Sequence, residues 1–256
     1  MNLLVVMKQT FDTEEKIIIE QGQIKDDGAE FIINPYDEYA VEEAIKLRDE
    51  WGGEVTVITV GPARAESALR TALAMGADRA VIVSDEHIVD GDGHTISKVL
   101  AAVIKDRAFD LILAGNMSID HGAAQVGPRL AEELGIAHVA AVTEINIKDS
   151  VATVIRDVEG DSEAIEVPLP LLVTAQQGLN EPRYPSLPGI MKAKRKPMER
   201  LTIDDLGLNA DQIAAKTVIV DQFNAPKKEA GRMLAGAPRE QVKELAQLLR
   251  HEAKVV

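Results

Sequence analysis

The stretch Leu111-Ile-Leu-Ala-Gly-Asn-Met-Ser-Ile-Asp-His-Gly-Ala-Ala-Gln-Val-Gly-Pro128 holds the residues best suited to ligand chemistry. An apolar run that reads as a buried strand leads into small and polar residues. A helix is expected to begin near Gly122 or Ala123. In an open parallel sheet, ligands collect at the carboxyl end of a strand, where the next helix presents free N–H groups and the positive end of its dipole. Phosphate suits such a place. Gly115, Gly122, Ala123 and Ala124 allow close backbone approach. No Lys or Arg lies between Gly115 and Pro128, so backbone N–H groups, Ser118 and Gln125 are the expected donors. That set suits a monophosphate better than a triphosphate, whose charge recruits Lys and Mg²⁺. The same residues also fit an ordinary strand–helix turn in which Asp120 caps the helix.

Two more turns share this pattern. Ile32-Ile-Asn-Pro-Tyr-Asp37 reads as strand then helix, with Pro35 fixing the turn and Asn34 free to bond a ligand or cap the turn. Val60-Gly61-Pro62 is the third. All three are expected on one edge of the sheet, where one phosphorylated ligand touching them would be a nucleotide. A fourth feature spans Asn180 to Lys196. Prolines at 182, 185 and 188 stiffen it, and it offers Tyr184, Leu187, Ile190 and Met191. Apolar side chains on a stiff loop suit partner capture, while a solvated crossover is the structural alternative. Lys192, Lys194, Arg195 and Lys196 form a basic cluster that either steers a partner or pairs with nearby acids.

Catalytic patterns are missing. His87, His94, His121, His138 and His251 lack metal-ligand spacing, and no G-x-S-x-G, Walker A or G-x-G-x-x-G occurs. Cysteine is absent, which excludes disulfides, thiolate metal sites and a Cys nucleophile. The net charge of −14 over 256 residues argues against broad nucleic-acid binding. No window approaches the roughly 20 apolar residues of a membrane span, and Leu3–Met7 is too short for a signal segment. A soluble, cytoplasmic protein that binds or carries, with no catalytic residues of its own, is expected.

The elements that must position these residues alternate. Strands are expected at Leu3–Met7, Val55–Val60, Arg79–Ser84 and Leu111–Ala114, and helices at Asp37–Trp51, Ala63–Met75 and Thr95–Lys105. Alternation of this kind predicts an α/β, doubly wound, mostly parallel sheet. Lys16–Glu20 and Glu30–Ile33, flanking Gly22 and Gly28, look like an inserted β-hairpin. Val142–Ile147 and Ser150–Arg156 predict an antiparallel extension, and Ile165–Thr174 one further strand. Asn180–Arg200 holds four prolines and no period, and Gly207–Ala230 reads as mostly extended or irregular. Glu240–Glu252 is an amphipathic helix, docked on its own domain or on something else. Residues 1–200 are expected to form a nucleotide-binding domain and 201–256 a C-terminal arm.

Five stretches resemble one family. They are Val5-Val-Met-Lys8, Asn34-Pro-Tyr-Asp-Glu-Tyr-Ala-Val-Glu-Glu-Ala44, Arg70-Thr-Ala-Leu-Ala-Met-Gly-Ala-Asp78, Gly115-Asn-Met-Ser-Ile-Asp120 and Leu179-Asn-Glu-Pro-Arg-Tyr-Pro-Ser-Leu-Pro-Gly-Ile-Met-Lys-Ala-Lys194. Together they resemble the β (small) subunit of electron-transfer flavoprotein, whose fold is adenine-nucleotide α-hydrolase-like. The resemblance implies a heterodimer with an α subunit that holds most of a redox-active FAD, while β buries a structural AMP. It implies electrons taken from acyl-CoA dehydrogenases and related flavoproteins, as in fatty-acid β-oxidation, and passed to a quinone reductase or another acceptor. By the same resemblance the cofactor-binding residues are Val6, Asn34, Pro35, Tyr36, Asp37, Val60, Gly115, Asn116, Met117, Ser118, Ile119, Asp120, His121, Gly122, Ala123, Ala124, Gln125 and Val126. Tyr36 falls where the family has an aromatic near the flavin, and Thr13 where a second aromatic often stands. Leu187 falls on the anchor leucine of the partner loop, and Asp157 on an acid that pairs with the α subunit's FAD domain. Bifurcating relatives hold a second FAD in place of AMP, and their loop reads Asp-Gly-Asp-Thr where this chain has Asp120-His-Gly-Ala123. A free-standing nucleotide-binding regulator is the other alternative.

Overall fold

Short segments that are apolar at nearly every position must be covered on both faces, which calls for a sheet between two helical layers. The computed structural model describes residues 1–89, 91–228 and 230–256 and shows that arrangement. The chain runs β1 (Asn2–Val6), β2 (Gln9–Phe11), β3 (Ile18–Glu20), β4 (Gln23–Lys25), β5 (Phe31–Ile33), α1 (Pro35–Trp51), β6 (Glu54–Val60), α2 (Glu66–Met75) and β7 (Arg79–Val83). It crosses back through α3 (Gly93–Ile104) to β8 (Leu111–Gly115), α4 (Val126–Leu134), β9 (Ala137–Lys148), β10 (Val151–Val158), β11 (Asp161–Pro168) and β12 (Leu171–Ala175). Then come α5 (Leu187–Ala193), β13 (Met198–Leu201), α6 (Ala210–Ile213) and α7 (Pro238–His251).

Nine strands form the main sheet in the order β11-β10-β9-β12-β8-β1-β6-β7-β13. From β9 to β13 neighbouring strands are parallel, and β10 and β11 extend the sheet antiparallel. Strand alternation divides the core. Leu3 and Val5 face one cluster with Ala40, Val41, Ala44 and Ile45 of α1 and Leu69 and Leu73 of α2. Leu4 and Val6 face the other, with Val99, Leu100 and Val103 of α3 and Leu130 of α4. The fold is therefore the doubly wound α/β architecture expected. From β1 the chain builds β6 and β7 on one side, then returns to place β8 on the other. The strand order thus reverses between β1 and β8, the place beyond whose carboxyl ends open α/β sheets bind their ligands.

Several local expectations need correction. Glu30–Ile33 does not pair with Lys16–Glu20. Gln21 and Gly22, with φ of 54° and 74°, turn β3 straight back onto β4. β5 pairs instead with β2, where the Phe11 and Phe31 rings lie 4.8 Å apart. Ile165–Thr174 is two strands, because Pro168 and Pro170 cannot donate to a ladder. β11 ends at Pro168, and β12 inserts between β8 and β9. The proline-rich 180–200 region is not irregular. Ser186 caps α5 by accepting from Gly189 N at 3.1 Å, and Met198–Leu201 pairs with β7 as an edge strand. Within 207–230, of which residue 229 lies outside the described residues, Asn209 and Gln212 form a capping box that starts α6. Ile203 and Ile213 are buried, so the core continues to Ile213. Val218, Val220 and Phe223 beyond it are exposed. No residue of α7 is buried.

The basic cluster also divides. Lys196 Nζ donates to the carbonyls of Leu73, at 3.0 Å, and Ala77, capping the end of α2. Burial lowers its pKa. Lys192, Lys194 and Arg195 are exposed. Lys196→Met should therefore cost about 1–3 kcal/mol of stability through orphaned helix carbonyls. Neutralising any of the other three should stay within about 0.5 kcal/mol. Urea unfolding of the four single variants checks this.

Candidate functional site

Three turns meet above the carboxyl ends of β1 and β8. The first follows β5. Asn34 is buried, accepts no cap bond at α1, and turns its side-chain amide on the loop after β8. Its Nδ2 donates to Met117 O at 2.9 Å and its Oδ1 accepts from Ile119 N at 3.1 Å. Its own backbone N–H donates to Lys8 O at 2.9 Å. Pro35 opens α1 and Tyr36 is half-buried beside it.

Asp37 ties two strand ends together. Its Oδ2 accepts from Lys8 N at 2.6 Å and its Oδ1 from Gly115 N at 2.9 Å. A Cβ at Gly115 would collide with the Asp37 carboxylate and with Tyr36 Cβ, so only glycine permits this approach. Burial pushes the Asp37 carboxyl up to about 7, against the opposing pull of the Lys8 and Gly115 N–H groups and the Asn34 side chain.

The loop after β8 is longer than expected. Its helix starts at Val126, not near Gly122 or Ala123, because Gly122 and Ala124 take φ of 62° and 50°, outside the helical region. Asp120 therefore caps no helix. Its carboxylate instead accepts from Lys8 Nζ at 2.7 and 2.8 Å. His121 Nδ1 lies 3.2 Å from it. Burial works against the Asp120 charge, but hydrogen bonds from His121, Lys8 and Ser118 hold its carboxyl far below the ordinary range. Asn116 is fixed by Thr174, whose Oγ1 donates to its Oδ1 at 2.9 Å. A Cβ at Gly127 would meet Thr174 Cγ2 at 2.6 Å, so the start of α4 packs directly on β12. Gly122, Ala123, Ala124 and Gln125 are exposed. No side chain caps α4, and its first turn holds no acid.

The third turn sits beside these. Thr59 Oγ1 donates to Met7 O at 2.8 Å, joining the ends of β6 and β1, and Gly61 N donates to Val83 O. Val6 is buried toward α3 and α4, with Val60 half-buried on the same cluster. The structure thus brings Asn34 to Asp37, Val60 and Gly115 to Val126 to one sheet edge. Lys8 is the residue that inspection of 115–128 alone misses, because it reaches Asp120 from 112 residues upstream. Its place directly after a strand was the available signal.

The partner-loop residues lie elsewhere. Tyr184, Leu187 and Met191 are 94%, 80% and 67% exposed, on or beside α5, which packs on α2. Asp157 is exposed on β10, in the antiparallel extension, and is not brought to this loop. Thr13 lies in a turn after β2.

This geometry defines a doubly wound α/β protein with three turns gathered at the switch point and an exposed apolar loop set apart from them. The chain belongs to the electron transfer flavoprotein domain family, whose sequence pattern matches residues 21–206. It is 59% identical over 257 residues to the electron transfer flavoprotein subunit beta of Bacillus subtilis (strain 168), covering all of both chains. It is 40% identical to the protein of that name from Syntrophomonas wolfei, covering 100% of this chain and 98% of the relative. It is 41% identical, over 92% of each chain, to the caffeyl-CoA reductase-Etf complex subunit CarD of Acetobacterium woodii. No helix among the described residues is long and apolar enough to cross a membrane.

Asp37 gives a pH test. Its folded pKa of about 7 lies above its ordinary 3.8, so the folded state holds its proton longer than the unfolded state. Its contribution to stability must fall as pH rises from the lower value to the higher and stay level outside that window. The stability difference between the native chain and Asp37→Asn should move against the native chain across that window. Urea unfolding of both proteins at several pH values measures it, and parallel profiles would contradict the assignment.

Proposed function

We propose that this chain is the small subunit of a heterodimeric electron-transfer flavoprotein that binds one structural AMP and completes the FAD site of an α subunit. The dimer takes electrons from acyl-CoA and related flavoprotein dehydrogenases and passes them to a quinone reductase or another acceptor in the cytoplasm. The chain serves as a carrier without catalytic residues of its own. Whole-length likeness to β subunits supports this over a free-standing nucleotide-binding regulator.

The observation that carries the AMP reading is the uncapped start of α4 behind an exposed loop of small residues. Free N–H groups there have no side-chain acceptor, and a single phosphate would satisfy them. Ser118 and Gln125 stand on the same loop. Asn34 and Asp37 shape the loop from below rather than facing the phosphate. Lys8 is already engaged by Asp120, so the loop offers one modest anion site rather than the several cations a diphosphate invites. Asp120-His-Gly-Ala123 also lacks the Asp-Gly-Asp-Thr of relatives with two flavins. Tyr36 is half-buried at the same edge, which supports its proposed role of lining the flavin of the α subunit. When bound, FAD supplies the one- and two-electron chemistry that the chain's own side chains lack.

Two measurements test this reading. The heterodimer, purified and denatured, should release one FAD and one AMP on chromatography. Two FAD and no AMP would move the protein to the bifurcating class. Leu187→Ala should leave FAD content unchanged and weaken reduction by a cognate dehydrogenase roughly thirtyfold, about 2 kcal/mol. Unchanged kinetics would remove Leu187 from the docking surface.

A further inference from the structure

The exposed loop does not stand on proline stiffness alone. Its N-terminal end is fastened to α1 by an ion pair whose carboxylate is buried and whose guanidinium is exposed. Arg183 Nε donates to Glu42 Oε2 at 2.8 Å and its NH2 to Oε1 at 2.9 Å. The backbone N–H of Arg183 donates to the same Oε2 at 3.1 Å. The Glu42 side chain is only 6% exposed, so its charge is committed to this one partner. Three residues earlier, Asn180 Nδ2 donates to Tyr39 O at 3.0 Å and to Glu43 Oε2 at 2.8 Å. The C-terminal end is fastened to α2. Arg70 donates to Ala193 O at 2.9 Å, and a Cβ at Gly189 would strike Ala74 O. Tyr184, Leu187 and Met191 project between the two attachments.

A forked guanidinium on a buried carboxylate fixes direction as well as distance. Fully solvated ion pairs contribute little to order, but here the buried Glu42 carboxylate would lose both guanidinium donors and is costly to leave without them, whereas the exposed guanidinium keeps water and Asp49 at 3.7 Å. Neither Glu42 nor Arg183 belongs to the nucleotide crevice. We infer that Glu42 and Arg183 are positioning residues for docking: their forked pair holds Tyr184 and Leu187 pre-ordered for the reduced flavoprotein dehydrogenase. This rests on the reading of 184–191 as the docking loop. A pre-ordered loop loses less conformational freedom on association, so the pair acts on affinity and not on the electron-transfer step.

The test uses the assembled heterodimer carrying Glu42→Gln, Arg183→Lys or both. Glutamine cannot hold the guanidinium by charge, and lysine cannot form the fork. Each single variant should raise KM for the dehydrogenase about tenfold, with kcat changing far less and FAD content constant. Amide exchange should quicken at 181–191 and stay constant at 34–40. The double variant should be no worse than the worse single one, since either change removes the same interaction. Three outcomes overturn the inference: unchanged KM despite faster exchange, unchanged KM with unchanged exchange, or a KM rise accompanied by loss of FAD. Leu187→Ala separates the two levels. If it too leaves KM unchanged, the docking loop itself is misassigned. If it alone raises KM, only the role of the pair fails.

Discussion

Asp37 must accept from Lys8 N and Gly115 N at once, and much of the structure follows from that requirement. The two donors belong to the ends of β1 and β8, the neighbouring strands between which the sheet reverses its order. One carboxylate therefore closes the topological switch point from beneath. Glycine is required at 115 because the carboxylate and Tyr36 occupy the place of any side chain. Asn34 is required three residues earlier because its amide holds Met117 and Ile119 as the loop leaves β8. The raised pKa of Asp37 is the electrostatic cost of placing an acceptor so deep.

That same helix serves a second surface. The first turn of α1 organises the crevice, while Tyr39, Glu42 and Glu43, one to two turns on, hold residues 180–183. Its other face is apolar, with Ala40, Val41, Ala44, Ile45 and Leu47 packed on the sheet. A helix packed on its apolar face and bonded to residues 180–183 on another has little freedom to tilt, although Lys46, Asp49, Glu50 and Trp51 face solvent. The switch-point turns and the exposed loop are therefore both anchored on α1.

Much of this was legible in the residues. Strongly apolar strands and Ala-rich helices announced the parallel core because each obeyed a local rule. The turn residues Asn34 and Gly115 signalled the crevice. What the sequence concealed were contacts between distant segments. Lys8 meets Asp120 across 112 residues, and Arg183 meets Glu42 across 141. Periodicity carries no information about such pairs. The β13 strand was hidden for another reason: four residues on a sheet edge, half charged, show neither alternation nor an apolar run. The start of α4 was misplaced because small residues read as helical, although Ala124 takes a left-handed φ.

Charge is distributed unevenly in consequence. On a chain of net charge −14, several cations are committed to internal partners. Lys8 holds Asp120, Arg48 holds Asp78, Arg183 holds Glu42, and Lys196 holds the end of α2. Lys192, Lys194 and Arg195 stay exposed on or just after α5, beside Met191 and a turn from Leu187. An approaching acidic surface would meet attraction there and repulsion over much of the rest. Such a field guides encounter but is screened beyond about 10 Å at ordinary ionic strength, so it selects a direction of approach without lending much to final affinity. In the proposed docking, affinity comes from the few apolar side chains on the loop. A small apolar contact with long-range guidance associates quickly and releases quickly, and that combination suits a carrier that must visit partners in turn.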